Sequence, residues 1–361
     1  FRMAESLYYA APEKIRRFTI DLFVRGGMRA EDAACVADHL IDADLRGVTT
    51  HGLTRIPLYF EKIDKGLCDP RARPEIIRAY GATALIDAHN CMGQVSGTMA
   101  MKLAIEKAGQ YGIGYVGVRN GCHYGTAGYY AMMAERQGMI GLSTTNSGVF
   151  VAPYGGLEKR LGTNPVAVAI PAGRHLPILL DMATSRVSRG KLLVAMKKKA
   201  PVPPDWALDA EGRATTDAAR AFAGILLPLS YKGYGMAVVI DMLAGVLSGS
   251  GFGAMVDTPE GAPLVGSNFM ALKIDAFCDP EEFRRNVDAL IDEILSVRRE
   301  EETPRVYMPG EIEFEREAEN MDRGGVPLQP FQLRELKELG ARYGLALEAY
   351  LPLSPKEENE K

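Results

Sequence analysis

The texture of the chain changes at Pro74 and again near Pro280, and these two changes limit what it can build. Between them, short β-branched runs are separated by Gly, Pro and Asn. Ala84–Asp87, Ile113–Val118, Met139–Thr144, Val166–Ile170 and Ile178–Leu180 read as strands, and Gly93–Tyr111, Thr126–Gln137 and Gly235–Leu247 as helices. Strands interleaved with helices predict an α/β layer, and strands joined only by loops predict a mixed sheet. Before Pro74 the pattern is helical. Ile15, Phe18, Leu22 and Phe23 keep helical spacing up to Gly26-Gly27, a second pattern runs from Ala30 to Gly47, and a third carries Ile56, Tyr59 and Ile63 to Gly66. Glu281–Glu302 and Gln332–Tyr343 are again helical and charged. The predicted plan is a helical domain from both termini (residues 1–74 and 281–361) around an α/β domain (75–280), with a frayed polar end at Ser354–Lys361.

Composition excludes several function classes. Lys and Arg total 42 against 46 for Asp and Glu, so no basic excess exists to hold a nucleic acid backbone. Apolar residues at 47% and charged residues at 24% argue against disorder. Cys35, Cys68, Cys91, Cys122 and Cys278 form no C-x-x-C pair and read as reduced thiols. With no apolar stretch in the opening Phe1–Ser6 run, they predict a cytoplasmic protein. Gly233–Val256 has Asp241 as its only charge, but six glycines and two serines make it too weakly hydrophobic for a membrane span. It is expected to be a buried helix or a subunit interface.

Two glycine patterns invite a dinucleotide-binding reading. Gly112-Ile-Gly114-Tyr-Val-Gly117 fits G-x-G-x-x-G, and Gly249-Ser-Gly251-Phe-Gly-Ala254 fits G-x-G-x-x-A. That fingerprint works only when a strand precedes the glycines and a helix follows, so that the helix N-terminus faces the pyrophosphate. Here each first glycine follows a helical pattern, so both read as helix C-caps.

The polar residues that call for a chemical reason cluster elsewhere. His51 lies in Thr49-Thr50-His51-Gly52 between two helical patterns, with Arg55 four and Tyr59 eight residues on. Helical spacing would put all three on one face, where an imidazole serves a carbonyl oxygen while Arg55 grips a carboxylate in a fork. The alternative is a capping histidine beside a surface ion pair. His123, in Cys122-His123-Tyr124-Gly125, follows a strand and precedes a helix, where α/β sheets place functional groups as well as ordinary turns. Asn146 and Ser147 end one strand, and Thr163 and Asn164 precede the next. Their hydroxyls and amides suit hydrogen bonds to a nucleotide or carboxylate, and they are also common turn formers. Asp181 ends an apolar strand, where burial would raise its pKa. Lys232 stands at the mouth of an apolar helix, placed for phosphate or for water. His39, His89 and His175 lack such neighbours and read as structural.

Taken in order, the blocks Ala43-Asp-Leu-Arg-Gly-Val-Thr-Thr-His-Gly52, His123-Tyr-Gly-Thr-Ala-Gly-Tyr-Tyr130, Leu161-Gly-Thr-Asn-Pro165, Leu180-Asp-Met-Ala-Thr-Ser185, Trp206-Ala-Leu-Asp209, Lys232-Gly-Tyr-Gly235 and Met308-Pro-Gly-Glu311 resemble the malate/L-lactate dehydrogenase family of the second type. That family is distinct from the Rossmann-fold lactate dehydrogenases and includes ureidoglycolate, sulfolactate, diketogulonate and piperideine-carboxylate enzymes. The resemblance implies a non-Rossmann nicotinamide-binding fold, with cofactor and substrate on the α/β domain. It also implies a homodimer whose active site lies near the subunit boundary. It places the catalytic proton donor on His51 and a second active-site histidine on His123. Cofactor contacts fall on Ser147, on Asp181, Met182 and Ala183, on Lys232 and Gly233, and on Pro309, Gly310 and Glu311. Arg55 as carboxylate clamp comes more from the helix-face argument, with Thr50 and Tyr59 as its substrate-side neighbours. Thr50 departs from the family's usual serine. The loop before Lys232 is one residue short, and a glycine expected before Trp206 is missing.

The expected reaction is hydride transfer between NAD(P)H and C2 of a small 2-oxo or 2-hydroxy acid. A positioned imidazolium protonates the developing alkoxide. His51 is the first choice as donor and His123 the second, with Asp181 orienting an imidazole or touching the nicotinamide. NAD is expected, with NADP the alternative through Arg186, Arg189 and Lys191. A cyclic imino acid is the alternative substrate. A metal-dependent hydrolase on His51, His123 and Asp181 is the rival from another class, without an H-E-x-x-H or a Cys/His cluster to support it. A non-catalytic assembly protein built on Gly233–Val256 is the third.

Overall fold

A computed structural model describes residues 7–256 and 264–351, so the Ser354–Lys361 end lies outside the described residues. The chain divides into two compact units, Phe1–Arg71 with Ile312–Lys361, and Ala72–Glu311. The first opens with β1 (Tyr8–Ala10), α1 (Pro12–Arg25), α2 (Ala30–Leu45) and α3 (Ile56–Asp64). The second starts with β2 (Glu75–Tyr80), β3 (Thr83–Asp87), α4 (Gly93–Tyr111), β4 (Ile113–Gly121), α5 (Ala127–Glu135), β5 (Met139–Thr145), β6 (Val166–Ile170) and β7 (Ile178–Met182). It continues through α6 (Arg189–Lys197), β8 (Ala207–Leu208), α7 (Ala218–Ala223), β9 (Ile225–Leu226), α8 (Ser230–Asp241), β10 (Val265–Lys273) and α9 (Pro280–Leu295). The chain then returns to the first unit through α10 (Glu311–Asp322), β11 (Val326–Leu328) and α11 (Pro330–Arg342).

In the terminal unit β1 pairs antiparallel with β11 and so ties the two chain ends together. Ile15, Phe18, Leu22 and Phe23 of α1 are wholly buried, as their spacing predicts. The central unit holds a seven-stranded sheet in the order β2-β3-β4-β10-β5-β6-β7. Only β3 and β4, joined through α4, run parallel, and every other pair is antiparallel. The sheet is therefore mixed, as expected. All five predicted strands form.

Two strands of this sheet were not expected. β2 is an edge strand whose six residues are all exposed, so no buried face marks it in the sequence. β10 lies at the centre of the sheet, and its Gly266-Ser-Asn268 start after Val265 is poor in strand formers. Packing overrides propensity there, because a Cβ on Gly266 would lie 1.8 Å from the Ala244 carbonyl oxygen.

The domain boundary also needs correction. Residues 281–311, assigned from sequence to the terminal helices, belong to the central unit. The cause is Asp288 of α9, whose carboxylate accepts the N–H groups of Gly173, Arg174 and His175 between β6 and β7.

The glycine patterns are explained by packing. Gly112 is the left-handed C-cap of α4, at φ +80. A Cβ on Gly114 would sit 1.9 Å from the Ala104 carbonyl oxygen, so this glycine lets α4 lie directly on β4. Gly249 follows a π-helical turn, Met242–Leu247, that extends α8. At Gly112 the order is helix, glycine, strand, the reverse of the phosphate-binding turn, and no strand precedes Gly249.

Candidate active site

Between α2 and α3 the chain makes two short 3₁₀ turns, Thr49–His51 and Leu53–Arg55, hinged at Gly52. His51 and Arg55 thus do not share one continuous helix, as their spacing suggested. The turns still bring them into electrostatic contact. His51 Nδ1 lies 3.0 Å from Thr50 Oγ1, and Arg55 Nε donates to the Thr50 carbonyl at 2.6 Å. Among the described residues no other hydrogen bond engages that guanidinium, so its terminal nitrogens remain open to a carboxylate. Tyr59, one turn into α3, is buried, and its phenol acts electrostatically on Arg55.

Burial, reinforced by the Arg55 cation, pushes the His51 pKa down to about 3. An imidazolium was expected, but the ring is neutral around pH 7 before a substrate arrives. Beneath it lies a residue that sequence reasoning missed. Asp44, at the end of α2, is fully buried and accepts the Leu53 N–H at 2.7 Å. The available signal was its place eight residues before the glycine of the Thr-Thr-His-Gly block.

In the central unit His123 follows β4, and its Nδ1 accepts the Gly125 N–H at 3.3 Å, which leaves the hydrogen of a neutral ring on Nε2. Asp181 was expected to be buried but is exposed, because β7 is the outer strand of the sheet. Its Oδ2 accepts the Gly128 N–H at 2.8 Å in the first turn of α5. The helix that follows His123 is thereby fastened to the strand that ends in Asp181-Met182.

The loops expected to hold a cofactor are stitched together by threonines. Ser147 Oγ accepts the Thr163 N–H at 3.0 Å. The Thr163 carbonyl accepts both the N–H and the hydroxyl of Thr184, each at 2.9 Å. The Thr184 carbonyl accepts the Leu229 N–H at 2.8 Å and lies where a Cβ on Gly233 would be 2.4 Å away, so α8 starts directly against it. Ser147, Ala183, Lys232 and Gly233 therefore border one seam, with Met182 and Ala183 half-buried and Lys232 exposed. The Pro309 carbonyl accepts the Leu179 N–H at 2.9 Å, and a Cβ on Gly310 would meet Leu179, so that turn lies on β7 two residues before Asp181. Glu311 closes the turn on the Met308 N–H and pairs with Arg305 at 3.0 Å.

Two expected cofactor contacts are turned inward. Asn146 is fully buried, and its amide serves the Gly251 carbonyl and the Gly266 N–H. Asn164 is fully buried at φ +30 and donates to the Ala237 carbonyl. Both support the seam from behind. Thr163, read from sequence as a ligand-bonding hydroxyl or a turn former, and Thr184, quoted only within the Leu180–Ser185 block, make its hydrogen bonds. Among the described residues no three His, Cys, Asp or Glu side chains are grouped to hold a metal, and no helix is long and apolar enough to cross a membrane.

Comparison with known proteins defines the class. The chain belongs to the malate/L-lactate dehydrogenase family, which it matches over residues 10–337. It is 42% identical to the malate dehydrogenase of Pyrococcus horikoshii over 343 residues, 92% of this chain and 95% of that one. It is 40% identical to the L-sulfolactate dehydrogenase of Methanocaldococcus jannaschii, over 94% of this chain and 98% of the other. Among solved structures, the malate dehydrogenase of Entamoeba histolytica superposes with a TM-score of 0.90 at 33% identity, covering 94% of this chain and 99% of that one.

Proposed function

We propose that the protein is a nicotinamide-dependent oxidoreductase that interconverts a small 2-hydroxy acid and its 2-oxo partner, with His51 moving the proton at the C2 oxygen. The observation that carries this reading is the Thr50–His51–Arg55 turn, where a neutral imidazole lies under the influence of a guanidinium whose terminal nitrogens are open.

A neutral imidazole is ready to take the proton of a C2 hydroxyl. In the reverse direction a substrate carboxylate on Arg55 offsets the cation that depresses His51. The ring then takes up a proton and delivers it to the oxygen as negative charge develops there. Thr50 Oγ1 orients the ring through Nδ1, and His123 orients the substrate oxygen. The nicotinamide, when bound, supplies or accepts the hydride. Ser147, Met182, Ala183, Lys232 and Gly233 hold it, and Asp181 and the Pro309–Glu311 turn fix the strand at the nicotinamide side. The fit rests on the start of α8, where a positive helix end and the exposed Lys232 cation meet hydroxyl-lined backbone suited to pyrophosphate. This is a nicotinamide site without the strand-glycine-helix turn, hence a non-Rossmann one.

NAD is the proposed cofactor. Arg186 is paired with Asp205 at 3.1 Å and Arg189 is held over the rings of Phe150 and Phe222, so two of the three cations that would meet a 2′-phosphate are committed elsewhere. A homodimer is proposed from the apolar stripe of exposed Met236, Val239, Met242, Leu243, Val246 and Leu247 on α8 and its π-helical extension. The free cysteines agree with a reducing, cytoplasmic setting.

Oxidation of NADH and of NADPH by a panel of lactate-, malate-, sulfolactate- and ureidoglycolate-type 2-oxo acids, together with a cyclic imine, tests the proposal. Turnover with a 2-oxo acid is expected, with higher initial rates for NADH. Turnover of the imine alone, or of none of the panel, would contradict the substrate class.

A further inference from the structure

The reading above leaves one buried ionisable group without a task. Asp44 is 0% exposed, and no part of its burial is explained by an ion pair. Oδ2 accepts the Leu53 N–H at 2.7 Å, whereas Oδ1 has no hydrogen-bond partner among the described residues. The carboxyl presses on the backbone of Gly52, where an added Cβ would lie 2.1 Å from Oδ1 and 2.3 Å from Oδ2. Gly52 directly follows His51 and separates the two 3₁₀ turns. A buried acid that spends one oxygen and leaves the other unmatched costs stability, so its retention under the catalytic turn asks for a compensating role.

We propose that Asp44 is the positioning residue of the His51 turn, fixing the imidazole for proton transfer through Gly52 and the Leu53 amide. This deepens the proposed function and rests on His51 being the proton-transfer group. The geometry is direct. Thr49–His51 is a single 3₁₀ turn, too short to hold its own orientation, and Thr54 Oγ1 on the Thr49 carbonyl and Arg55 Nε on the Thr50 carbonyl tie it to the turn that follows. Asp44 reaches the junction of the two turns, at Gly52 and Leu53, from α2 and therefore sets that junction against the body of its unit.

Its chemical state fits. Burial pushes the Asp44 pKa up to about 8, and the Leu53 N–H offsets only part of that, so the group is neutral at pH 7. A neutral carboxyl still offers one oxygen to the Leu53 amide. It places no negative charge beside the imidazole, where an anion would favour protonation before substrate binds. Asparagine reproduces that shape and that acceptor, whereas alanine removes both.

The test measures kcat at saturating cofactor, NADH affinity and melting temperature for Asp44→Ala, Asp44→Asn, Gly52→Ala and the Asp44→Ala/Gly52→Ala pair, with His51→Ala as control. Asp44→Ala is expected to lower kcat about 10–100-fold, the cost of a misplaced catalytic group, with NADH affinity within about twofold. Asp44→Asn should restore most of that loss. Gly52→Ala should lower kcat strongly alone and far less in the Asp44→Ala background, because the two groups occupy one contact. A folded Asp44→Ala enzyme with wild-type kcat would overturn the proposal, as would an Asp44→Asn enzyme as slow as Asp44→Ala. Should Asp44→Ala fail to fold, Asp44→Asn and Gly52→Ala decide: wild-type kcat in Gly52→Ala overturns the proposal. Loss of kcat in His51→Ala with none in the Asp44 variants removes only this inference. Unchanged kcat in His51→Ala removes the proposed function as well.

Discussion

The two histidine regions are held in different ways. The His51 turn is fixed by partners five to nine residues away in sequence, Thr49 to Thr54, Thr50 to Arg55 and Asp44 to Leu53. The surroundings of His123 are assembled from far along the chain. Asn120, at φ +54, donates its side-chain amide to Asp87 across 33 positions and its backbone N–H to Ser250 Oγ across 130, while the Gly128 N–H reaches Asp181 across 53. The turn proposed for proton transfer is thus set by neighbouring sequence. The seam proposed for the cofactor exists only once the seven-stranded sheet has formed.

That contrast can be broken most sharply at the histidines. His51→Ala is expected to lower steady-state turnover about 10²–10⁴-fold, the usual worth of a general acid or base. His123→Ala should lower it about 10–100-fold, as befits an orienting group. Equal losses would erase the distinction. Next in size is Arg55→Lys, which keeps the charge but loses the planar fork, and should raise the KM of the acid about 10-fold or more with little change in NADH binding. An unaltered KM would move the carboxylate clamp elsewhere.

Smaller effects sharpen the picture of the central unit. Gly128→Ala puts a methyl group 2.8 Å from Asp181 Oδ2 and opens the tie at the start of α5. It should cost about 0.5–2 kcal/mol, the worth of a helix cap, and lower the melting temperature by a few degrees. No change in stability would show that the tie is dispensable.

A further expected effect is a slope of stability with pH. Buried His39 and half-buried His51 have pKa values pushed down to about 3, so the unfolded chain binds more protons than the folded one between about pH 3 and 6.5. Their contribution is present above pH 6.5 and is lost as pH falls towards 3. Asp44 acts in the opposite sense. Its contribution is full below about pH 4 and is lost as pH rises through 8. Urea midpoints measured from pH 4 to pH 9 should therefore fall at both ends, and His39→Gln should flatten the acid side. An acid side unchanged by that substitution would mean that His39 is not held neutral.

What could be read from sequence follows the same division. The five expected strands formed because their β-branched runs express a buried face, and the glycine fingerprints were correctly read as helix ends because Gly112 and Gly249 each follow a helix. The Thr-Thr-His-Gly turn was visible because its parts are adjacent. β10 escaped because its place at the centre of the sheet comes from neighbours on both sides, against its own Gly-Ser-Asn composition. Asp181 was misjudged because exposure depends on β7 being the outer strand, which no local pattern records. Asn146 and Asn164 looked like ligand groups, yet their amides are used on backbone of the 251, 266 and 237 positions. Asp44 lies within the Ala43–Gly52 block, but its contact with Gly52 exists only after α2 and the following turn close on each other.

The central claim is that His51 performs the proton step while other residues hold the cofactor. Trp206, the only tryptophan, packs beside the core of the central unit, and its backbone carbonyl accepts the Leu227 N–H. Energy transfer from Trp206 to bound NADH therefore reports cofactor affinity in the same sample whose single-turnover oxidation is followed after mixing with a 2-oxo acid substrate. The account predicts that His51→Ala binds NADH as wild type does and oxidises it at least about 10²-fold more slowly. Equal single-turnover rates, or an NADH affinity that falls together with the rate, would contradict it.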